Sequence, residues 1–259
     1  MLPKIIDYLK DKSVLILGFG REGQSTLSYI KKHLPEKELT VADKNKVTPD
    51  GENIRTVCGE NYLDCVNDFD VVMKSPGISF RDVEVNENTE VTCQVDMFLR
   101  FADCHKVGIT GSKGKTTTST LTYEMLKAAG KDARLIGNIG VPVFEALESV
   151  TPDTYAVIEM SSHQLEFTHA SPEVAILTNI YEEHLDHYKG GFAGYVNAKL
   201  HIMNYQNEND TFIYNADQGV SEYVKLNSTR AEKIGVSVND RLPFEVCNEH
   251  LLGVHNKQD

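Results

Sequence analysis

Val107-Gly-Ile-Thr-Gly-Ser-Lys-Gly-Lys-Thr-Thr117 decides the reading of this chain. The apolar run at 106–110 is expected to be a buried strand, and 115–129 a long helix, so the glycines lie in the turn that joins them. Glycine lets a backbone aim its N–H groups at one point, and the N-terminus of the following helix adds the positive end of its dipole. Gly111, Ser112, Lys113, Gly114, Lys115, Thr116 and Thr117 therefore form a candidate nucleoside-triphosphate loop. In it Lys115 reaches the β- and γ-phosphates and the Thr116 hydroxyl ligates Mg²⁺. The strict G-x-x-x-x-G-K-[ST] spacing is not met, because Ile109 stands where the first glycine belongs. An ordinary glycine-rich strand-to-helix turn is the plain alternative.

Outward from the loop, short apolar runs alternate with helical patterns in both directions. Strands are expected at 13–17, 38–42, 53–57 and 70–73, then at 155–159, 174–177 and 211–214, with helices at 23–33 and 94–101. Such alternation predicts parallel, doubly wound α/β sheets. The pattern restarts at 106, which sets a boundary near Cys104 and two domains, 1–104 and 105–259. The first is a Rossmann-like domain and the second a P-loop-type α/β domain. The second ends abruptly: 252–256 looks like a loop about to enter a helix, and three residues remain, so a truncated chain is expected.

The 259 residues carry 26 Lys and Arg against 38 Asp and Glu, a net charge of −12. So acidic a surface argues against nucleic acid as the main partner. The five cysteines (58, 65, 93, 104 and 247) form no C-x-x-C pair. They read as reduced thiols. The N-terminus resembles a short amphipathic helix rather than a secretory signal, and no apolar run is long enough to insert in a membrane. A cytoplasmic monomer is expected.

Three further positions could carry chemistry. Glu159 ends a strand in Ile158-Glu-Met-Ser-Ser-His-Gln-Leu165. The carboxyl ends of parallel strands line the ligand crevice, so this carboxylate could share the Mg²⁺. His184 and Asp186 follow another strand end, where an imidazole can bind a metal and an acid can orient it; a surface loop rich in histidine and acid is the other reading. Lys199 lies on a helix and, taken alone, reads as a solvated lysine. In the first half, Gly18-Phe-Gly-Arg-Glu-Gly23 matches G-x-G-x-x-G after a strand, with Asp43 ending the next. By itself that predicts dinucleotide binding, as in an NAD-dependent oxidoreductase, or else helix-packing glycines.

As a set these motifs resemble the Mur ligases, ATP-dependent amide-forming enzymes of peptidoglycan precursor synthesis. The matching stretches are the phosphate loop, Gly137-Asn-Ile-Gly140, Glu159-Met-Ser-Ser-His-Gln-Leu165, Thr178-Asn-Ile-Tyr-Glu-Glu-His-Leu-Asp186, Ala198-Lys199, Asn215-Ala-Asp217 and Gly253-Val-His-Asn256. They occur in order along the whole chain. Within the family the likeness is greatest to the branch that adds D-glutamate to UDP-MurNAc-L-Ala.

The resemblance implies that Lys115 and Thr116 hold ATP and magnesium and that Glu159 is a magnesium ligand. It makes His184 part of a second magnesium site, Lys199 a lysine open to carbamylation, and Asn256 an adenine contact. Asn138 and Ser161 would face the muramoyl substrate. Gly18, Phe19, Gly20, Arg21, Asp43 and Lys44 would hold uridine and diphosphate, with Ser75-Pro76-Gly77 at a further strand end. It also implies a third, C-terminal domain that is absent from these 259 residues. A catalytically deficient binding fragment is therefore the alternative to an active ligase. Glu183 stands where the family pattern usually has Asp before the histidine.

Overall fold

A computed structural model describes residues 2–240, apart from 140, 218, 219 and 228. A short helix, α1 (Lys4–Leu9), leads into β1 (Val14–Leu17), whose four residues are all buried, and α2 (Arg21–His33). Then come β2 (Leu39–Asp43), β3 (Ile54–Cys58), β4 (Val71–Lys74) and β5 (Glu90–Thr92). They form a five-stranded sheet in the order β3-β2-β1-β4-β5, with every pairing parallel. A parallel strand covered on both faces needs apolar residues at successive positions. Val-Leu-Ile-Leu and Val-Val-Met supply them, which is why those runs read clearly as strands. The last turn of α2 carries Lys31, Lys32 and His33, cations that suit the negative end of its dipole.

Helix α3 (Gln94–Phe101) passes to the second half, which contains β6 (His105–Thr110), α4 (Lys115–Ala128), β7 (Ala133–Gly137), α5 (Val143–Ala146), β8 (Tyr155–Glu159) and α6 (Ser162–Leu165). Next are β9 (Val174–Leu177), α7 (Phe192–Asn204), β10 (Thr211–Asn215), α8 (Val220–Leu226) and β11 (Glu232–Val236). The sheet order is β11-β10-β9-β6-β8-β7, again parallel throughout. The chain moves from β6 to one side through β7 and β8, then crosses to β9 on the other. That reversal beside β6 is where a parallel sheet opens its ligand crevice. The fold is thus parallel-sheet α/β, as the alternating pattern predicts.

A buried ion network fastens α3 to its surroundings. Asp96, with no exposed surface, accepts hydrogen bonds from Thr92 Oγ1 (2.7 Å), the His169 backbone N–H (2.6 Å) and Arg100 Nη1 (3.2 Å). Arg100 also donates to Glu90 Oε1 at 2.5 Å. Glu90, Asp96 and His169 bring ligand atoms within 4.8 Å of one another, as a metal site would. The guanidinium already bridges the two carboxylates, so this is an ion network. No helix among the described residues is long and apolar enough to cross a membrane.

Candidate functional site

Two cavities lie where strand ends of both sheets meet. The larger, about 500 Å³, is lined by Gly18, Gly20 and Arg21 after β1, Asp43 and Lys44 at the end of β2, and Ser75, Pro76 and Gly77 after β4. Gly137, Asn138 and Pro142 close it from the second sheet. The smaller, about 230 Å³, is lined by Lys115, Ser161, His163, His184, Tyr195 and Lys199 among others, and shares Pro76, Gly77 and Asn138 with the first. The two cavities therefore adjoin, the N-terminal glycine motif lining one and Lys115 of the phosphate loop the other.

In the larger cavity the glycines have separable duties. Gly18 takes φ +88°, a conformation a side chain would strain. A Cβ at Gly23 would meet the Gly18 carbonyl at 2.0 Å, so its hydrogen lets α2 pack against β1. Asp43 lines the wall, but Oδ2 accepts the Phe19 N–H and Oδ1 the Asn45 N–H, each at 2.8 Å. A dinucleotide fingerprint needs that carboxylate for a ribose hydroxyl; here its hydrogen bonds shape the turn. Phe19 packs on the hydrophobic core and is not among the lining residues. Ser75 Oγ is likewise engaged, donating to the Gly18 carbonyl at 3.0 Å.

The phosphate loop is braced by the β9 end. Ser112 N–H donates to the Asn179 carbonyl (3.0 Å) and Lys113 N–H to Asn179 Oδ1 (2.7 Å). The Ser112 hydroxyl is buried and lies 2.7 Å from Tyr195 OH. Ser112 and Lys113 thus spend these backbone donors within the protein. The first-turn N–H groups of α4, from Lys115 through Thr117, lack an intrahelical acceptor and are the ones a phosphate can take. Gly111 is required by contact, because a Cβ there would sit 1.9 Å from Thr178 Oγ1. Lys115 Nζ folds back to the Gly111 and Ser112 carbonyls at 2.9 and 3.0 Å, and burial lowers its pKa.

Beside the loop, Thr116 Oγ1 donates to Glu159 Oε2 at 2.8 Å, and Asn138 Nδ2 donates to Glu159 Oε1 at 2.9 Å. The sequence-predicted loop hydroxyl, strand-end carboxylate and Asn138 are one connected group. Ser161 reaches the cavity, but its hydroxyl forms the N-cap of α6 with Gln164.

Lys199 departs from the solvated reading. It is 1% exposed, donates to the Gly111 carbonyl at 2.7 Å and lies over the Tyr195 ring at 4.8 Å. Burial, with the nearby Lys115 ammonium, lowers its pKa to about 7. The signal was available: Tyr195, Val196, Ile202 and Met203 are its i−4, i−3, i+3 and i+4 neighbours on α7, an apolar stripe that carries the lysine inward.

His184 lines the smaller cavity with φ +53°, a left-handed conformation uncommon for residues other than glycine, though histidine adopts it more often than most. Its ring meets His163 at 4.8 Å, and no described hydrogen bond joins it to the Asp186 carboxylate, so the expected orienting role of Asp186 is not seen. His163 and Asn179 stand inside motifs quoted from the sequence but are given no role there, and Tyr195 is not singled out. Burial, with the adjoining His187 and His184, pushes the His163 imidazole down to about 3, so it is neutral. Asn256 lies outside the described residues, as does Gly140.

The chain is similar to known proteins along most of its length. The chain is 34% identical over 235 residues to a UDP-N-acetylmuramoylalanine–D-glutamate ligase of Clostridium kluyveri, covering 89% of this chain and 47% of that protein. A ligase of the same name from Clostridium botulinum strain Langeland is 35% identical over 281 residues, covering 98% of this chain and 61% of that one. The chain thus spans about half the length of the curated relatives it matches. In fold it is similar to a UDP-N-acetylmuramate:L-alanyl-gamma-D-glutamyl-meso-diaminopimelate ligase from Neisseria meningitides. That structure aligns with a TM-score of 0.51 at 17% identity, over 86% of this chain and 77% of the other. The family model of the Mur ligase middle domain matches residues 109–248, more than half of the chain and the part that bears the phosphate loop, Glu159 and Lys199. By that match, this chain belongs to the Mur ligases.

Proposed function

We propose that the protein uses ATP to join D-glutamate to UDP-MurNAc-L-Ala. One observation carries this reading: the nucleotide-type cavity and the phosphate cavity share Pro76, Gly77 and Asn138. A substrate held by its uridine diphosphate at Gly18–Arg21 can then present its far carboxylate to the γ-phosphate held over Lys115. That carboxylate oxygen attacks γ-phosphorus and ADP leaves, giving an acyl phosphate. The amine of D-glutamate next attacks the acyl carbon; phosphate departs and the amine gives up a proton. We assign 1–104 to the UDP-linked substrate and 105–259 to ATP, in a cytoplasmic monomer.

Carboxylate and triphosphate repel each other, so the site must supply positive charge. The Thr116 hydroxyl and Glu159 carboxylate, already in contact, are hard oxygen donors that fit a Mg²⁺ ion. Magnesium bound there would offset the anionic repulsion. As an amine Lys199 fits no cation. With its pKa near 7 it is in good part the neutral nucleophile that CO₂ captures, and the resulting carbamate would be an oxygen ligand for a second ion beside His184. Lys115 neutralises the transferring phosphoryl group, and fixed positioning supplies much of the remaining acceleration.

The test is a panel of amino acids given to the full-length protein with ATP and UDP-MurNAc-L-Ala, reading ADP and the amide product. D-Glutamate is expected to be the acceptor. Hydroxylamine should trap the acyl phosphate as a hydroxamate when the amine is withheld. ADP formation that ignores UDP-MurNAc-L-Ala would overturn the proposal.

A further inference from the structure

Lys74, the last residue of β4, is 3% exposed, yet its Nζ has no hydrogen-bond partner. A buried cation left so is costly and calls for a reason. The nearest carboxylate oxygen is Glu166 Oε2 at 3.8 Å, and the rings of Phe80 and Phe167 lie 5.6 and 5.4 Å from the ammonium. On its other side Glu166 Oε2 is 3.4 Å from His187 Nε2. The His187 ring packs on His163 at 4.1 Å, and His163 on His184 at 4.8 Å. A continuous line of contacts thus leads from a strand end of the first sheet to His184 in the smaller cavity.

The same stretch grips the loop twice more. Ser79 Oγ donates to the His187 carbonyl at 2.6 Å and Arg81 Nη1 to the Asp186 carbonyl at 3.3 Å. Residues 74–81 of one half therefore hold residues 184–187 of the other. That hold has work to do, because His184 sits at φ +53°, where a non-glycine backbone persists only if its surroundings fix it.

We propose that Lys74 is a positioning residue which, through Glu166 and His187, sets the loop that presents His184 to the phosphate site. The charge pair is retained for geometry, since a buried pair of this kind is weak support for stability. For its catalytic consequence the inference rests on the ligase reading given above.

The experiment compares Lys74→Met, Glu166→Gln and the double variant Lys74→Met/Glu166→Met in the full-length protein. Lys74→Met strands Glu166 and should lower the melting temperature. The double variant removes both charges and should melt at or above the parent. If Lys74 positions the loop, kcat for ADP formation stays at least about tenfold low in all three, while KM for ATP moves by no more than about twofold. Amide exchange of residues 183–188 should quicken at least about tenfold in each. A double variant that regains both parental kcat and parental exchange would reduce Lys74 to a fastener and overturn the inference. If the parent shows no ligation yet exchange at 183–188 quickens in the variants, the ligase reading fails while the positioning role stands.

Discussion

Lys199 Nζ donates to the carbonyl of Gly111 across 2.7 Å, so a helix 88 positions downstream is pinned to the entrance of the phosphate loop. The amine and the loop are one structural unit. Replacing Lys199 by Met keeps the volume and removes a costly buried amine, so stability should hold or rise. Ligation should nonetheless fall by at least about 100-fold, the scale of losing a fixed charge at a reacting phosphate. Lys115→Ala should do the same. A steady-state ADP assay checks both, and near-parental turnover in either would remove these lysines from the chemistry.

Glu159 bridges Thr116 and Asn138 with its two oxygens. Glu159→Gln preserves the shape and can keep both hydrogen bonds with the amide suitably turned. Stability should change little, whereas kcat should drop about 100-fold and the Mg²⁺ requirement should rise. Magnesium titrations of the rate would read this, and an unchanged magnesium midpoint would argue against a metal at Glu159.

Gly111 cannot accept a methyl group, because Thr178 Oγ1 occupies the place and itself donates to the Lys113 carbonyl at 2.6 Å. Gly111→Ala should cost about 1–3 kcal/mol, the usual penalty of overpacking. Adding Thr178→Ala should recover part of that loss in urea unfolding. If the second substitution deepens it, the contact is not the cause.

Asp96 and His169 set a pH window for stability. Burial alone would raise the Asp96 carboxyl, but hydrogen bonds from His169 and Thr92 outweigh it and hold the group below its ordinary range. Its contribution is present above the unfolded value and is lost as pH falls through the folded one. Asp96 in turn raises His169, whose contribution is present below its unfolded value and fades as pH climbs through the raised one. Stability supplied by the pair should therefore peak between the two, with the alkaline limb shallow because the imidazole is nearly half exposed. Unfolding of Asp96→Asn across pH should flatten both limbs.

Much of this architecture could be read directly. The runs at 155–159 and 174–177 coincide with β8 and β9, because doubly covered strands need unbroken apolar stretches. β7 and β11 escaped: Ala-Arg-Leu-Ile-Gly and Glu-Lys-Ile-Gly-Val lie at the two edges of the second sheet, where polar residues are tolerated. The glycines and Lys115 were legible since few other residue types can serve there. The Ser161–Gln164 cap is a local S-x-x-Q pattern that could have been read. The engagement of Asp43 by Phe19 and of Ser112 by Asn179 and Tyr195 was not legible, because it depends on partners brought close only by folding. Lys74 was hidden for the same reason, its Glu166 neighbour lying in the other half of the chain.

The wall formed by Pro76, Gly77 and Asn138, common to both cavities, acts as a ruler. Under the ligase reading proposed above, it would set the reach between a uridine diphosphate anchored at Gly18 and a phosphate held at Lys115. Molecules sharing that anchor would then be sorted by length: too short a chain would not arrive at the reacting phosphate, and too long a one would overshoot it.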